Sequence, residues 1–164
     1  SIAFAPKADL QGRLIDSSSS GFGLATDVSC HSFLRMAHLA EPLMTEGGSL
    51  FAMTFYGAQK AVPNYNLMGP IKATLEAAVR YTAVELGPKG IRAFAISPGP
   101  IETRAASGLA EFQKLIETAK ARAPLRRLAT IEDVGATTAL LATRAGECLT
   151  GQTIYVDGGY HITG

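Results

Sequence analysis

Four short apolar stretches alternate with longer segments of mixed polarity along this 164-residue chain. Apolar runs bounded by Gly or Pro are typical of strands covered on both faces, and they predict strands at 1–5, 49–55, 91–96 and 153–157. Apolar residues spaced about 3.6 positions apart predict helices at 27–44, 64–86, roughly 105–121 and 131–143. Strands and helices in this order are typical of an α/β fold with a parallel sheet and right-handed crossovers.

The segment between the first strand and the first helix, 7–23, is polar and rich in Gly and Ser, so we predict a loop there. Its run of four serines is interpreted as a solvent-exposed turn. Thr26 or Asp27 can cap the helix that follows. Thr130 is predicted to cap the last helix, because acidic residues stand in the first turn, where the helix dipole favours them.

Composition limits the possible classes of function. Apolar residues make up 47% and charged residues 18% of the chain, which predicts one folded domain rather than a disordered polypeptide. Fifteen basic and fourteen acidic side chains give a net charge of +1, which is too small to attract nucleic acid or an anionic membrane surface. No apolar run approaches the roughly 20 residues that span a bilayer. We therefore expect neither nucleic acid nor a membrane as partner.

Cys30 and Cys148 are far apart, and their separation fits no metal-ligand spacing. In a chain with few cysteines such a pair is typical of free thiols in a reducing compartment, so we expect no metal site and a cytoplasmic protein. The sequence starts without Met, and the strand-like run from Ser1 to Ala5 indicates that it begins in the middle of a fold.

Candidate chemistry lies at the carboxyl ends of the predicted strands, where parallel sheets bind their ligands. Tyr65 and Lys72 are seven residues apart, so on a regular helix they share one face with a rise of roughly 10 Å. A phenol that donates a proton to an oxyanion, beside a lysine that reaches ribose hydroxyls, suits reduction by a nicotinamide cofactor. The pair also fits an ordinary helix start followed by a solvated face. Pro70 lies between them, so either the helix starts late or it is kinked there.

Two further patterns lie at these strand ends. The Pro- and Gly-rich turn at 98–103 could bring backbone amides and the Thr103 hydroxyl to a nicotinamide amide or a phosphate, or it could simply end the strand. Tyr56 and Lys60 have the Tyr-x-x-x-Lys form of ordinary short-chain dehydrogenases, in which one helical turn holds both groups. Since Tyr56 adjoins a strand and Pro63 follows closely, we predict that this pair is not catalytic.

The chain carries four separated motifs in a fixed order: Ser-Ile-Ala-Phe-Ala-Pro at 1–6, Pro-Asn-Tyr-Asn-Leu-Met-Gly-x-x-Lys-Ala at 63–73, Ile-Ser-Pro-Gly-Pro-Ile-Glu-Thr-Arg-Ala-Ala-Ser-Gly at 96–108, and Val-Asp-Gly-Gly at 156–159. Together they resemble the bacterial enoyl-acyl-carrier-protein reductases over essentially the whole chain. These are nicotinamide-dependent enzymes of fatty-acid biosynthesis within the short-chain dehydrogenase superfamily. The resemblance implies a Rossmann-like parallel sheet with helices on both faces, with the N-terminal βα units absent.

The resemblance also implies a reaction and the residues that carry it. Tyr65 would stabilise the enolate formed when a trans-2-enoyl thioester is reduced, and Lys72 would hold the nicotinamide ribose of NADH or NADPH. The residues implied to line the cofactor are Ile2, Lys72, Ile101, Glu102, Thr103, Arg104 and Ala105. The acyl substrate, presented on acyl carrier protein, would contact Ala5, Phe55 and Tyr65. A loop and helix at 101–120 would cover it.

The sequence departs from that family pattern in two ways. Many members have a tyrosine ten residues before the catalytic one, where this chain has Phe55, so the proton-donor role of that position does not carry over. The family's first strands and Gly-rich phosphate turn, roughly 90 residues at about 30 per βα unit, have no counterpart before Ser1. We therefore expect residues 1–164 to form one incomplete domain that binds cofactor poorly and has little activity.

Two other interpretations stay open. The chain could be a different short-chain dehydrogenase that acts on a carbonyl, which would require Tyr56 and Lys60 on one helix. It could also be a non-catalytic oligomerising fragment, because members of the family form homo-tetramers largely through the elements that match 27–44, 64–86 and 153–156.

Overall fold

Three parallel strands in the order β1-β2-β3 form the centre of the computed structural model, which describes residues 3–101 and 112–163. The strands are β1 (Gly48–Met53), β2 (Ile91–Pro98) and β3 (Gln152–Val156). Since β2 is central, Ile96 lies opposite Met53 on one side and Ile154 on the other. The last three predicted strands are therefore confirmed.

Helices alternate with these strands. The α-helices of the described residues are α1 (Lys7–Leu10), α2 (Ser19–Thr26), α3 (Ser32–Ala40), α4 (Met68–Leu86), α5 (Phe112–Arg122) and α6 (Ile131–Ala142). A π-helical turn, Asp27–His31, joins α2 to α3. Single 3-10 turns lie at Leu14–Asp16, Glu41–Leu43, Tyr56–Ala58, Gly87–Lys89, Arg144–Gly146 and Tyr160–Ile162.

Consecutive residues of β2 pack against opposite layers of helices. Ala95 belongs to an apolar cluster with Val79 of α4. Ile96, the next residue, belongs to a second cluster with Leu141 of α6. Because side chains alternate along a strand, helices that contact both sets must lie on both faces of the sheet. This confirms the predicted Rossmann-like α/β fold.

The predicted strand at 1–5 is wrong for the described residues 3–5, which have no strand pairing within the part of the chain that the structure covers. A side chain takes the place of a neighbouring strand. The hydroxyl of Ser29, in the π-helical turn, accepts the N–H of Phe4 at 2.8 Å and donates to the carbonyl of the same residue at 3.0 Å. The backbone N–H and C=O of Phe4 are thus satisfied without a sheet partner.

The first helical region starts earlier than the sequence predicts. We expected a loop over 7–23 and a cap at Thr26 or Asp27, whereas α2 already covers the end of that loop and includes Thr26, and Asp27 lies in the π-helical turn that continues it. The Ser18 hydroxyl accepts the N–H of Gly21 at 3.0 Å, so the serine run caps a helix. An added Cβ at Gly21 would lie on the carboxylate of Asp9, which explains a glycine inside this helix.

The central helix α4 starts four residues later than predicted. Asn64 and Asn66 have φ angles of 62° and 47°, in the left-handed region that interrupts a helix. Pro70 lies in the first turn of α4, where its missing N–H costs no helical hydrogen bond. The helix therefore starts late and is not kinked at this proline. Tyr65 precedes α4, so it does not share a regular helix with Lys72.

The predicted cap of α6 is confirmed. The Thr130 hydroxyl accepts the N–H of Asp133 at 3.1 Å, and the Asp133 carboxylate accepts the N–H of Thr130 at 2.9 Å. These reciprocal bonds form a capping box. The guanidinium of Arg127 lies 2.5 Å from the same carboxylate and, as the largest cause, lowers the pKa of Asp133 well below its usual range.

Both cysteines are free thiols, with Cys30 buried and Cys148 exposed. Across residues 3–101 and 112–163, no helix combines the length and hydropathy needed to cross a membrane. The same described residues contain no cluster of three or more His, Cys, Asp or Glu side chains that could hold a metal ion.

Candidate active site

A cavity of about 740 Å³ opens at the carboxyl ends of β1 and β2. Its walls are mainly apolar and come from the segment after β1, the start of α4, the turn after β2, and the helices α5 and α6. Residues distant in sequence meet there, among them Met53, Phe55, Tyr65, Lys72, Pro100 and Leu115. This is the edge of the sheet at which a parallel α/β fold binds its ligands.

Tyr65 is fixed by its backbone and by close ring contacts. The left-handed residues Asn64 and Asn66 flank it and turn it out of the helix that follows. The Phe55 ring meets it edge to face, with 4.9 Å between centroids, and a Cβ at Gly57 would lie 2.5 Å from its Cδ1. Burial raises the pKa of the Tyr65 phenol above its usual value. The phenol is thus neutral at physiological pH and can donate a hydrogen bond.

Lys72 is a buried cation near the start of α4, with only 5% of its surface exposed. Its Nζ donates to the carbonyl oxygen of Met53, at the end of β1, over 2.7 Å. Burial lowers the pKa of Lys72 to about 8, against the opposing attraction of Cys30 and Glu76. The protonated form of Lys72 therefore prevails below about pH 8, and a modest rise in pH deprotonates the amine.

The structure brings four of the candidate residues to this one cavity: Phe55, Tyr65, Lys72 and Ile101. Ala5 is not among the residues that line it. Its side chain packs instead against the apolar cluster of Leu67 and Ile71, while Ala3 lines the cavity. A role for Ala5 in contact with an acyl chain stays a prediction.

The other cofactor candidates fall outside the described residues: Ile2, Glu102, Thr103, Arg104 and Ala105. Most of the loop predicted within 101–120 also lies outside them. The helical part of that segment is α5, from which Leu115 and Thr118 line the cavity. A substrate-covering role for this helix remains an expectation.

Sequence reasoning did not assign Tyr160, which lines the cavity from the segment after β3. Its ring contacts that of Tyr56 edge to face, with 5.3 Å between centroids. The Asp157 carboxylate accepts the N–H groups of Gly159 at 2.9 Å and His161 at 2.7 Å, which fixes the turn that carries Tyr160. The Asp-Gly-Gly motif was the available signal, because a carboxylate followed by two glycines is typical of a tight turn.

Tyr56 and Lys60 do not share a helix of useful length. Tyr56 opens a 3-10 turn and lines the cavity at the carboxyl end of β1, so its position alone does not separate it from the site. Lys60 lies beyond that turn, and its Nζ donates to the carbonyl of His161 over 2.7 Å. Burial and a hydrogen bond with Tyr160 raise the pKa of the Tyr56 phenol.

A Rossmann-like sheet with a tyrosine and a buried lysine at its carboxyl edge places this chain among the α/β proteins of the short-chain dehydrogenase type. The family model described as Enoyl-(Acyl carrier protein) reductase matches residues 1–161. The chain belongs to this family.

Named relatives agree with that assignment. The enoyl-(acyl-carrier-protein) reductase (NADH) 1 of Rhizobium meliloti is 45% identical over 163 residues, which are 99% of this chain and 60% of the relative. The enoyl-(acyl-carrier-protein) reductase (NADH) of Bacillus cereus is 46% identical over 163 residues, or 99% of this chain and 64% of the relative. The chain thus spans less than two thirds of the length of these relatives.

Solved structures give the same result. The crystal structure of the Bacillus cereus enoyl-acyl carrier protein reductase with NADP+ and indole naphthyridinone has a TM-score of 0.97 and 46% identity, covering 99% of this chain and 63% of that one. The Anaplasma phagocytophilum enoyl-(acyl-carrier-protein) reductase in complex with NAD has a TM-score of 0.94 and 47% identity, with coverages of 99% and 62%. At this similarity the fold of the matched segment is shared in detail.

Proposed function

We propose that this chain carries the catalytic residues of an enoyl-acyl-carrier-protein reductase, which reduces a trans-2-enoyl thioester to the saturated thioester with NADH. The observation that carries the proposal is the meeting of a neutral phenol, Tyr65, and a buried ammonium, Lys72, in one mainly apolar cavity. A donor for a developing oxyanion and a cation for a polar ligand are what such a reduction needs.

The residues of the cavity fit the nicotinamide half of such a cofactor. Lys72 lines the cavity and uses one of its three N–H donors on the carbonyl of Met53, which leaves two donors for ribose hydroxyls. Ile101, after β2, lines the same cavity and supplies apolar surface. When bound, the dihydronicotinamide would supply the hydride. Relatives named for NADH and a solved relative with NADP+ support a nicotinamide cofactor of either form.

Tyr65 would act on the thioester oxygen. As negative charge develops there, the phenol donates a hydrogen bond and stabilises the enolate. The raised pKa of Tyr65 keeps its proton in place before the substrate arrives. Phe55, which lies against Tyr65, has no hydroxyl. It therefore packs against the tyrosine ring and cannot donate a hydrogen bond to the substrate.

The apolar part of the cavity wall suits an acyl chain. Leu115 of α5 and the α6 residues Ile131 and Val134 belong to it. Burial of methylene groups against such side chains contributes about 0.8 kcal/mol each. We propose that the substrate is presented on acyl carrier protein and that residues 101–120 cover its chain.

The test is oxidation of NADH that depends on an added trans-2-enoyl thioester. It should be run on the 164-residue chain and on a protein that carries this segment at the full length of its relatives. We expect the longer protein to oxidise NADH with the enoyl substrate and the 164-residue chain to do so weakly. A matched β-ketoacyl thioester serves as control, because preferential reduction of this carbonyl would favour the other short-chain dehydrogenase and contradict the proposal.

We also propose that the protein is a cytoplasmic homo-tetramer. Large apolar side chains stand exposed on two helices, with Leu39 on α3 at 68% and Tyr81 and Val84 on α4 at 73% and 77%. Exposed apolar faces of this kind are typical of subunit interfaces. Sedimentation of the purified protein should give four chains; a monomer at micromolar concentration would contradict this assembly.

Two free cysteines support a reducing compartment, as expected for the proposed cytoplasmic location.

A further inference from the structure

Glu76 is a buried carboxylate to which the proposed chemistry gives no task. It lies one turn after Lys72 on α4, and only 4% of its surface is exposed. Residues four apart on a helix lie on the same side, with their Cβ atoms about 6 Å apart. Lys72 and Glu76, both buried, therefore project from the same side of α4.

The carboxylate of Glu76 is held from the segment that follows β1. The Thr54 hydroxyl donates to its Oε1 over 2.9 Å, and the Gln59 side chain donates to its Oε2 over 3.4 Å. Thr54 is itself buried, with 5% exposure. Phe55, next to Thr54 in the chain, packs edge to face on Tyr65. Glu76 is thus linked to Tyr65 through Thr54 and its neighbour Phe55, and it acts on Lys72 through its charge.

Two acidic groups act on Lys72 through their charge, the thiol of Cys30 and the carboxylate of Glu76. Cys30, on the π-helical turn, also faces Lys72, but burial raises the pKa of this thiol, so it stays neutral. Tyr155 on β3 stays neutral as well, since burial and the charges of Glu76 and Asp157 raise its pKa. A buried ammonium without a counter-ion would lose its proton, because desolvation disfavours the charged form.

We propose that Glu76 is the positioning residue of the site: its carboxylate is the counter-ion of the buried Lys72 ammonium and, through Thr54, fixes the segment that holds Tyr65. The inference rests on the proposed function only for the tasks given to Lys72 and Tyr65. Glu76 need not touch substrate or cofactor, since it acts through its neighbours.

The test is the proton equilibrium of Lys72 itself, followed by NMR of protein labelled with 13C at the lysine Cε. The Lys72 resonance is assigned by its absence from the spectrum of Lys72→Met. Three variants are compared with the parent chain: Glu76→Gln, which removes the charge but keeps the shape; Glu76→Asp, which keeps the charge at a greater distance; and Glu85→Gln, which removes an exposed charge from the same helix.

We expect Glu76→Gln to lower the titration midpoint of Lys72 by about one pH unit, a tenfold loss of proton affinity, as removal of a close opposite charge does. Glu76→Asp should lower it less, and Glu85→Gln should leave it unchanged. A Glu76→Gln midpoint equal to that of the parent, or an equal fall in Glu85→Gln, would overturn the proposal. If Glu76→Gln does not fold, the Glu76→Asp midpoint decides, and no fall there also overturns it.

The titration separates this inference from the proposed function. It needs neither cofactor nor turnover, so a protein that fails to reduce enoyl thioesters can still show the coupling between Glu76 and Lys72. Conversely, an active reductase whose Lys72 titrates independently of Glu76 would support the proposed function and contradict the positioning role of Glu76.

Discussion

At the scale of single residues, the position of Tyr65 depends on the absence of a side chain at Gly57. An added Cβ there would lie 2.5 Å from Cδ1 and 2.9 Å from Cε1 of the tyrosine ring, closer than unbonded carbons can approach. The ring can therefore keep its contact with Phe55 only while residue 57 has no side chain. Glycine at this position serves close packing, since its backbone is not in the left-handed region.

Gly57→Ala should therefore displace Tyr65 and destabilise the protein by roughly 1–3 kcal/mol, as overpacking does. Urea denaturation measures the loss. Gly135→Ala is the matched control, because nothing lies within 4 Å of its added Cβ on the exposed side of α6. It should stabilise the protein by up to about 1 kcal/mol, the helix preference for Ala over Gly. Equal stability of the Gly57→Ala variant and the parent would contradict the packing described for Tyr65.

Lys72 makes stability depend on pH in a predictable direction. Its pKa is about 8 in the folded protein and 10.5 when unperturbed, so between these values the unfolded chain binds more protons. Stability attributable to this group thus rises with pH across the window, and the burial penalty is largest below pH 8.

We expect the stability of Lys72→Met relative to the parent to fall by roughly 3 kcal/mol as the pH rises from below 8 to above 10, because only the parent gains stability over this range. Urea denaturation of both proteins across this range provides the measurement, and Lys120→Met, on α5, is the control for loss of a lysine. A stability difference that stays constant with pH would contradict a depressed pKa for Lys72.

At the scale of elements, the capping box of α6 was predictable because all its parts are local. Thr130 and Asp133 are three residues apart, and each satisfies a backbone N–H of the other. We expect Thr130→Ala to destabilise the protein by about 1 kcal/mol in thermal or urea unfolding, while Thr130→Ser, which keeps the hydroxyl, stays near the parent. Equal losses in both variants would show that the methyl group, not the hydrogen bond, matters here.

The start of α2 was not predictable in the same way. Ser18 and Gly21 both favour a turn by local preference, yet the helix starts among them. The reason is tertiary, because the Asp9 carboxylate accepts the N–H of Ser18 from outside the helix and occupies the space beside Gly21. The late start of α4 has a local cause, the left-handed backbone at Asn64 and Asn66, which asparagine tolerates more readily than most residues.

At the scale of the whole molecule, the alternation of apolar runs and periodic segments predicted the parallel sheet. It could not predict which runs pair. The apolar residues at 3–5 do not join the three-stranded sheet, and the Ser29 hydroxyl, 25 residues away, bonds the backbone of Phe4 instead. The cavity has the same limit: the family resemblance, not the helical spacing, singled out Tyr65 and Lys72, which do not share a helix. The approach of Tyr160 depends on packing across the fold.

The central claim is that Tyr65 is the group that stabilises the reacting oxyanion, and its most direct test is turnover of Tyr65→Phe. The ring contacts with Phe55 and Gly57 remain in this variant, so folding should be unchanged. In a protein that carries this segment at the length of its relatives, we expect enoyl-thioester-dependent NADH oxidation to fall by about 100-fold or more, with NADH affinity unchanged. Lys72→Ala should mainly weaken NADH binding. Turnover of Tyr65→Phe at the parent rate would contradict the account.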